Sequence, residues 1–287
     1  MYEAVDNGLN NKRARCVVIG NEKGGSGKST TVINLIFGLI DSGYSVICVD
    51  LDFRQRTLSR FLECRAAYGE AHGKQLRMPD MRRFSPSALG SVATARGAEL
   101  SRFDTFMKGL QTSADYIVID TPGNDTVLGA HAHSHADILV TPINDSFIDL
   151  DVIVRLSPLD MHITGPGHYT ESVWEQRTLK QARDKCDTEW IVLRNRLGAL
   201  ESNNKRSMDA VMRELVDRFN FNVLPGFGER VIFRELFLKG LTLFDVSASD
   251  GDNRRTMSHV AAKHEVRNLL GAVIGGAEVK SHGHAAA

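Results

Sequence analysis

Lys23-Gly24-Gly25-Ser26-Gly27-Lys28-Ser29-Thr30 concentrates three glycines, two lysines and three hydroxyls in eight residues, between the apolar run Val17-Val18-Ile19 and the apolar-striped stretch 31–39. Those residue types in that order suit the holding of a phosphate chain. Glycines let successive backbone N–H groups curl around an anion without Cβ clashes, and a helix N-terminus adds partial positive charge at the same point. Lys28 supplies charge to the β- and γ-phosphates, the Ser29 hydroxyl is placed to ligate Mg²⁺, and Thr30 reaches the α-phosphate. A glycine-rich turn carrying two solvated lysines is the plainer alternative. The order strand, loop, helix speaks against it.

Two acidic segments follow apolar runs in the same way. Asp50-Leu51-Asp52-Phe53-Arg54-Gln55-Arg56 follows the run 45–49, and Asp120-Thr121-Pro122-Gly123 follows 116–119. Asp120 is placed to hold Mg²⁺ through water, and Gly123 offers a backbone N–H near the γ-phosphate. Asp50 lies nearer the strand end and the metal shell. Either aspartate pair alone reads equally well as a helix cap or a turn. Asn195 directly follows the run 190–193, and its amide can both donate to and accept from an adenine edge. Pro225 opens a turn, 225–228, that would line the base from the other side, although a Pro-Gly turn needs no ligand.

The elements that must position these residues are short apolar runs separated by helical stretches: 16–19, 45–49, 116–119, 138–142, 190–193 and 222–224. Alternation of this kind predicts an α/β fold, a single doubly wound, mostly parallel sheet with helices on both faces. Ligands of such sheets sit at the carboxyl ends of the strands, where the polar segments above fall. A chain of 287 residues can build this around one core. The expected division is a flexible N-terminus over 1–14, one domain over 15–274 and a disordered tail over 275–287. Residues 64–110 break the rhythm with Gly69, Gly73, Pro79, Pro86 and Gly90, and predict a loop-rich excursion ending in a helix over 98–110. Met208, Val211, Met212, Leu215, Val216 and Phe219 recur at helical spacing. The stretch 257–274 reads as a helix docked on the sheet rather than on a membrane surface.

Composition excludes several classes. Lys and Arg total 35 against 35 Asp and Glu, so no whole-molecule field recruits nucleic acid or anionic lipid. The four cysteines, Cys16, Cys48, Cys64 and Cys186, form no C-x-x-C pair, and Cys16 and Cys48 fall in apolar strand patterns that predict reduced, buried thiols. No apolar signal core opens the chain and no window approaches the ~18 apolar residues of a membrane span. The expectation is a cytoplasmic protein with no stable membrane association.

Glu22 stands where the ordinary phosphate loop has its first glycine, and Lys23 follows it. In this the loop resembles the deviant Walker A motif of the ParA/MinD ATPases. Asn21-Glu22-Lys23, Asp50 through Thr57, Pro142 through Phe147, Val173-Trp174-Glu175, Arg194-Asn195-Arg196 and Arg230 through Phe237 resemble the MipZ branch in particular, over about residues 15–270. The resemblance implies a P-loop ATPase that uses ATP and Mg²⁺, with Lys23 reaching across a sandwich homodimer to the partner's triphosphate. It implies that Asp52, in the switch I segment, positions the attacking water, and that an asparagine at position 195 meets the adenine. It further implies a division-plane regulator whose ATP dimer inhibits the tubulin-like FtsZ and binds chromosomal DNA non-specifically. ParB would recruit the monomer, giving a nucleoid-associated distribution graded from the cell poles. Arg194, Arg196, Lys205 and Arg206 are the candidate DNA contacts, against the reading of a solvated face. The alternatives are a ParA-type partition ATPase and a metabolic phosphotransferase such as a dethiobiotin-synthetase-like enzyme.

Overall fold

A computed structural model describes residues 13–85, 92–157, 162–196, 211–216, 218–246 and 257–279. Seven strands make one parallel sheet: β1 (Arg15–Ile19), β2 (Val46–Asp50), β3 (Asp80–Arg82), β4 (Tyr116–Asp120), β5 (Ile138–Asn144), β8 (Glu189–Asn195) and β9 (Asn222–Pro225). Their order across the sheet is β3-β2-β4-β1-β5-β8-β9, and every pairing is parallel. A separate antiparallel pair, β6 (Val154–Leu156) and β7 (Ile163–Pro166), was not signalled by the sequence because its strands are short and half exposed.

Strand β1 shows why the central strands read as continuous apolar runs. Val18 and Cys16 enter one core, while Val17 and Ile19 enter the other. Side chains alternate across a strand, so a sheet covered on both faces needs apolar residues at every position. One face carries α1 (Lys28–Asp41), α2 (Thr57–Ala71), α7 (Val231–Leu238) and α8 (Met257–Val279). The other carries α3 (Val92–Leu110), α4 (Val127–His133), α6 (His168–Asp184) and the helical residues 211–216 and 218–219, of which Met212, Leu215 and Phe219 are buried. Met208 lies outside the described residues. The short α5 (Phe147–Leu150) follows β5.

The stretch 64–110 differs from its expected loop-rich form. It contains the second half of α2, the edge strand β3 paired in parallel with β2, and α3. Its polar composition reflects a three-residue edge strand and solvated helix faces, with burial confined to a few positions such as Arg65, Phe84 and Phe103. The C-terminal boundary also moves. Helix α8 continues to Val279, past the Gly275 at which a disordered tail was expected. Residues 1–12 and 280–287, and most of the segment around Arg206, lie outside the described residues.

Helix α8 packs on α1, with Ala262, Val266, Leu269 and Val273 wholly buried. A Cβ at Gly38 of α1 would lie 2.5 Å from Leu270, so glycine is what allows this close approach. No helix among the described residues is long and apolar enough to cross a membrane. Cys16 and Cys48 are buried as expected, and burial pushes the Cys48 thiol up to about 12 and Cys16 further still.

His133 sits under the end of β1, wholly buried, with neither ring nitrogen hydrogen-bonded. Burial pushes it from 6.5 down to about 4. Between those values the unfolded chain binds a proton that the folded chain refuses, so stability falls as pH drops from about 6.5 to about 4. His135, also pushed down to about 4 by burial, acts in the same direction. Urea titrations across this window are expected to show a loss on the order of 3 kcal/mol per group. In His133→Phe the slope should be shallower; an unchanged pH profile in that variant would contradict the assignment.

Candidate functional site

The chain leaves β1 at Gly20 and enters α1 at Lys28 through the glycine-rich loop. Gly27 is the N-cap residue of α1, at φ +94° with no side-chain cap, and a Cβ there would lie 2.4 Å from Asn195 Nδ2. Only glycine meets both conditions. The first backbone bond of the helix runs from the Thr31 N–H to the Gly27 carbonyl at 2.9 Å. The N–H groups of Lys28, Ser29 and Thr30 are therefore the unpaired donors of a helix start, at the positive end of its dipole. Lys28 is buried over this loop, its Nζ donating to the Lys23 carbonyl at 2.8 Å. Burial pulls its amine down, opposed by the charges of Asp120 and Asp52.

The two strand-end aspartates stand side by side, because β2 and β4 pair with Asp50 opposite Asp120. Asp120 is wholly buried, and its acid is pushed well above the usual range by burial and by Asp50, with Lys28 and a Ser29 hydrogen bond opposing. A hard divalent cation at this point would relieve that cost and take both the Ser29 and Asp120 oxygens as ligands. Asp50, expected near the metal shell, has both oxygens held by protein donors. Its Oδ1 accepts from the Asp52 N–H at 3.0 Å, and its Oδ2 accepts from the Ser59 N–H at 3.0 Å and the Ser59 hydroxyl at 2.7 Å. It thereby ties the Asp52 segment to α2. Asp52 is half-buried and accepts from the Gln55 N–H at 3.0 Å through Oδ1, and its charge acts on Lys28. Gly123 closes against the loop: a Cβ there would meet Lys28 Nζ at 3.1 Å and Gly24 Cα at 3.3 Å.

Beside the loop lies a cleft lined by Gly27, Thr30, Asn144, Asn195, Arg196 and the 227–230 turn. Asn195 is buried at its floor, where its Nδ2 donates to the Ser26 carbonyl and its Oδ1 accepts from the Phe227 N–H, each at 2.9 Å. The amide straps the phosphate loop to the β9 turn and keeps one N–H and one lone pair for a ligand. Pro225 does not line the cleft; the turn reaches it two to five residues later, because Gly226 turns the chain back with its N–H on the Arg194 carbonyl at 2.8 Å. Asn144 is a site residue the sequence reading missed. Its Oδ1 is buried without a hydrogen-bond partner, an acceptor waiting for a donor in this cleft. Its position at the carboxyl end of β5 was the available signal.

Of the expected basic patch, Arg194 and Arg196 lie among the described residues. Arg194 is largely buried and its guanidinium is held by Asp145 at 2.6 Å, so it faces the protein and not a surface. Arg196 is exposed but opens onto the cleft just described. Lys205 and Arg206 lie outside the described residues. At the outer rim of the loop Lys23 pairs with the Asp149 carboxylate and donates to the Ile148 carbonyl at 3.2 Å. It points away from its own cradle. Asn21 supports it from below, accepting from the Lys23 N–H at 2.8 Å and donating to the Pro142 carbonyl at 2.7 Å. Glu22 turns toward His168 at 3.3 Å, its acid raised by burial. Gly24 and Gly25 form the exposed crest, with Gly25 at φ +75°.

The buried Lys28, the Ser29–Asp120 pair, the open helix start and the orphan Asn144 oxygen form one donor and acceptor set that fits a magnesium nucleotide. The chain is 33% identical over 157 residues to the septum site-determining protein MinD of Helicobacter pylori, covering 49% of this chain and 58% of that protein. It thus spans somewhat under three fifths of the length of that curated relative. The fold is shared with a variant of Cyanothece McdA in complex with ATP, at a TM-score of 0.57 and 16% identity over 92% of this chain and 97% of that one. It is shared also with Pyrococcus horikoshii MinD complexed with Mg-ADP, at 0.55 and 17% over 93% and 98%. The family model of ATPase MipZ matches residues 15–274, from the first residue of β1 to within α8, and with the site lying wholly inside that span the chain belongs to the MipZ family of ATPases.

Proposed function

We propose that this chain is an ATP-dependent dimerising switch that positions the cell-division plane. Its ATP-bound homodimer inhibits FtsZ polymerisation and binds chromosomal DNA non-specifically, and ParB recruits the monomer. The protein is cytoplasmic, associated with the nucleoid and graded from the cell poles. The observation that carries this reading is the placement of Lys23 on the outer rim of the phosphate loop, where its ammonium pairs with Asp149 and the Ile148 carbonyl.

Each residue of the site then has a task. Lys28 exchanges the Lys23 carbonyl for phosphate oxygens, and the N–H groups of Gly24 through Thr30 share the remaining charge. Ser29 and Asp120 hold the magnesium ion, with Asp50 bracing the segment that bears Asp52. Asp52 orients a water for attack, and Gly123 offers its N–H at the terminal phosphate. Asn195 and the 227–230 turn seat the base. When bound, magnesium ATP supplies the anhydride whose terminal phosphoryl passes to water.

The Asp52→Ala protein tests the reading. It is expected to retain ATP as a long-lived dimer, and to shorten or abolish sedimentable FtsZ polymer with ATP but not with ADP. Undisturbed polymer beside a dimer confirmed by light scattering would move the assignment to a ParA-type partition ATPase. ATP turnover at the wild-type rate would remove Asp52 from its role.

A further inference from the structure

Helices α3 and α4 meet at a cluster that the nucleotide site does not use. Asp104 of α3 presents Oδ1 to His131 Nε2 at 2.7 Å and to His135 Nε2 at 2.8 Å. The three ligand-capable atoms lie within 4.8 Å of one another. His131 is in the last turn of α4 and His135 in the turn that follows. Their spacing of four residues brings both rings to one side, with planes at 81° and centroids 5.5 Å apart. Phe103 walls the cluster, its ring 6.3 Å from that of His131 and 5.5 Å from that of His135. The imidazoles are enclosed while the carboxylate side is 35% exposed, so the cluster is closed toward the protein and open toward solvent.

We propose that Asp104, His131 and His135 bind one divalent transition ion, Zn²⁺ by preference, with water at the fourth position. Two imidazoles and a carboxylate are the donor set that zinc takes in three-ligand sites. Bond lengths of about 2.0–2.2 Å place tetrahedral ligand atoms roughly 3.3 Å apart, so the two Asp–His gaps must open by only about 0.5 Å. Each ring then turns from the tautomer that donates through Nε2 to the one protonated at Nδ1. Magnesium, which prefers six oxygens, is excluded by the same donors, so this ion is distinct from the one expected at the nucleotide. The cation that also acts on the cluster, Arg183, is held by Ser134 and by Asp184, which offsets its charge. The ion would pin α4, which follows the Asp120–Gly123 segment, to α3.

The test uses the full chain carrying His282→Ala and His284→Ala, which removes the competing imidazoles of the terminus, with Mg²⁺-ADP in excess to occupy the nucleotide site. Competition of Zn²⁺ against a chromophoric chelator is expected to show one ion per chain. His131→Ala and His135→Ala should each weaken it by more than the about 10–100-fold typical of a lost supporting contact. Asp104→Asn, which keeps an oxygen acceptor for the folded cluster, should weaken it as well, with circular dichroism and ATP turnover unchanged. Substituted Co²⁺ should give a visible spectrum without thiolate charge transfer. No stoichiometric ion in the tail-substituted protein, or affinity unmoved by the three variants, would overturn the site. Thiolate charge transfer would also overturn it, by moving the ion to a cysteine.

Discussion

Lys23→Ala is expected to lower ATP turnover by on the order of 10³-fold while leaving nucleotide binding by the monomer intact. The cradle is built from Gly24 through Thr30, and the buried ammonium above it is that of Lys28. The Lys23 ammonium instead rests on Asp149 and the Ile148 carbonyl at the rim, so deleting it removes no charge from its own chain's phosphate site. Under the proposed dimer such a lysine meets the triphosphate that a second chain brings to it, in the manner of an arginine finger supplied in trans. Turnover measured against protein concentration, with light scattering in ATP, checks both halves. A variant that still dimerised with ATP would refute the role. Asp149→Asn is the companion: it keeps an acceptor for the Asn144 N–H, now bonded at 3.1 Å, but weakens the hold on Lys23. Its dimer should form at lower protein concentration than the wild type's.

The second large effect is structural. Arg65→Ala is expected to cost about 3–5 kcal/mol of folding stability. Arg65 is 1% exposed, yet every nitrogen of its guanidinium donates a hydrogen bond. It meets both Asp245 oxygens at 2.7 Å, the Gly240 carbonyl at 3.0 Å and the Arg77 carbonyl at 2.9 Å, and lies over the Phe37 ring at 4.2 Å. Burial alone would raise the Asp245 acid, and Arg65 together with the Thr242 N–H and hydroxyl more than reverses this, holding it below its usual range. Removing the arginine leaves two carbonyls without their donor and the Asp245 carboxylate with only the Thr242 N–H and hydroxyl and no countercharge, which costs far more than the pair contributes net. Urea midpoints measure the loss. A double replacement, Arg65→Met with Asp245→Leu, should recover part of it, because it removes the orphaned charge as well. A loss below about 1 kcal/mol in the single variant would show that solvent reaches Asp245.

Arg65 also shows where the sequence stops speaking. Its neighbours are polar and punctuated by glycine, so the segment 64–110 reads as a solvated excursion, yet one arginine in it locks α2 to the turn after α7, 180 residues away. A charged residue buried by partners so remote has the same local pattern as an exposed one. Arg194 makes the same point in the opposite sense. Beside Arg196 it looks like half of a basic patch, and Asp145, across from it at the end of β5, turns it inward.

What the sequence determined by itself was everything carried by local spacing. Six of the seven sheet strands, the glycine loop entering α1, the strand-end aspartates and Asn195 are all encoded within a few residues of chain, because short apolar runs and glycine placement act at that range. The tertiary structure alone decided the partners. Register placed Asp50 beside Asp120, and packing tied Asn195 to Ser26 and Phe227. The meeting of α3 with α4 joined Asp104 to two histidines. Each of these contacts joins residues tens to more than a hundred positions apart. Only the folded sheet, which brings remote strand ends to one edge, makes them neighbours.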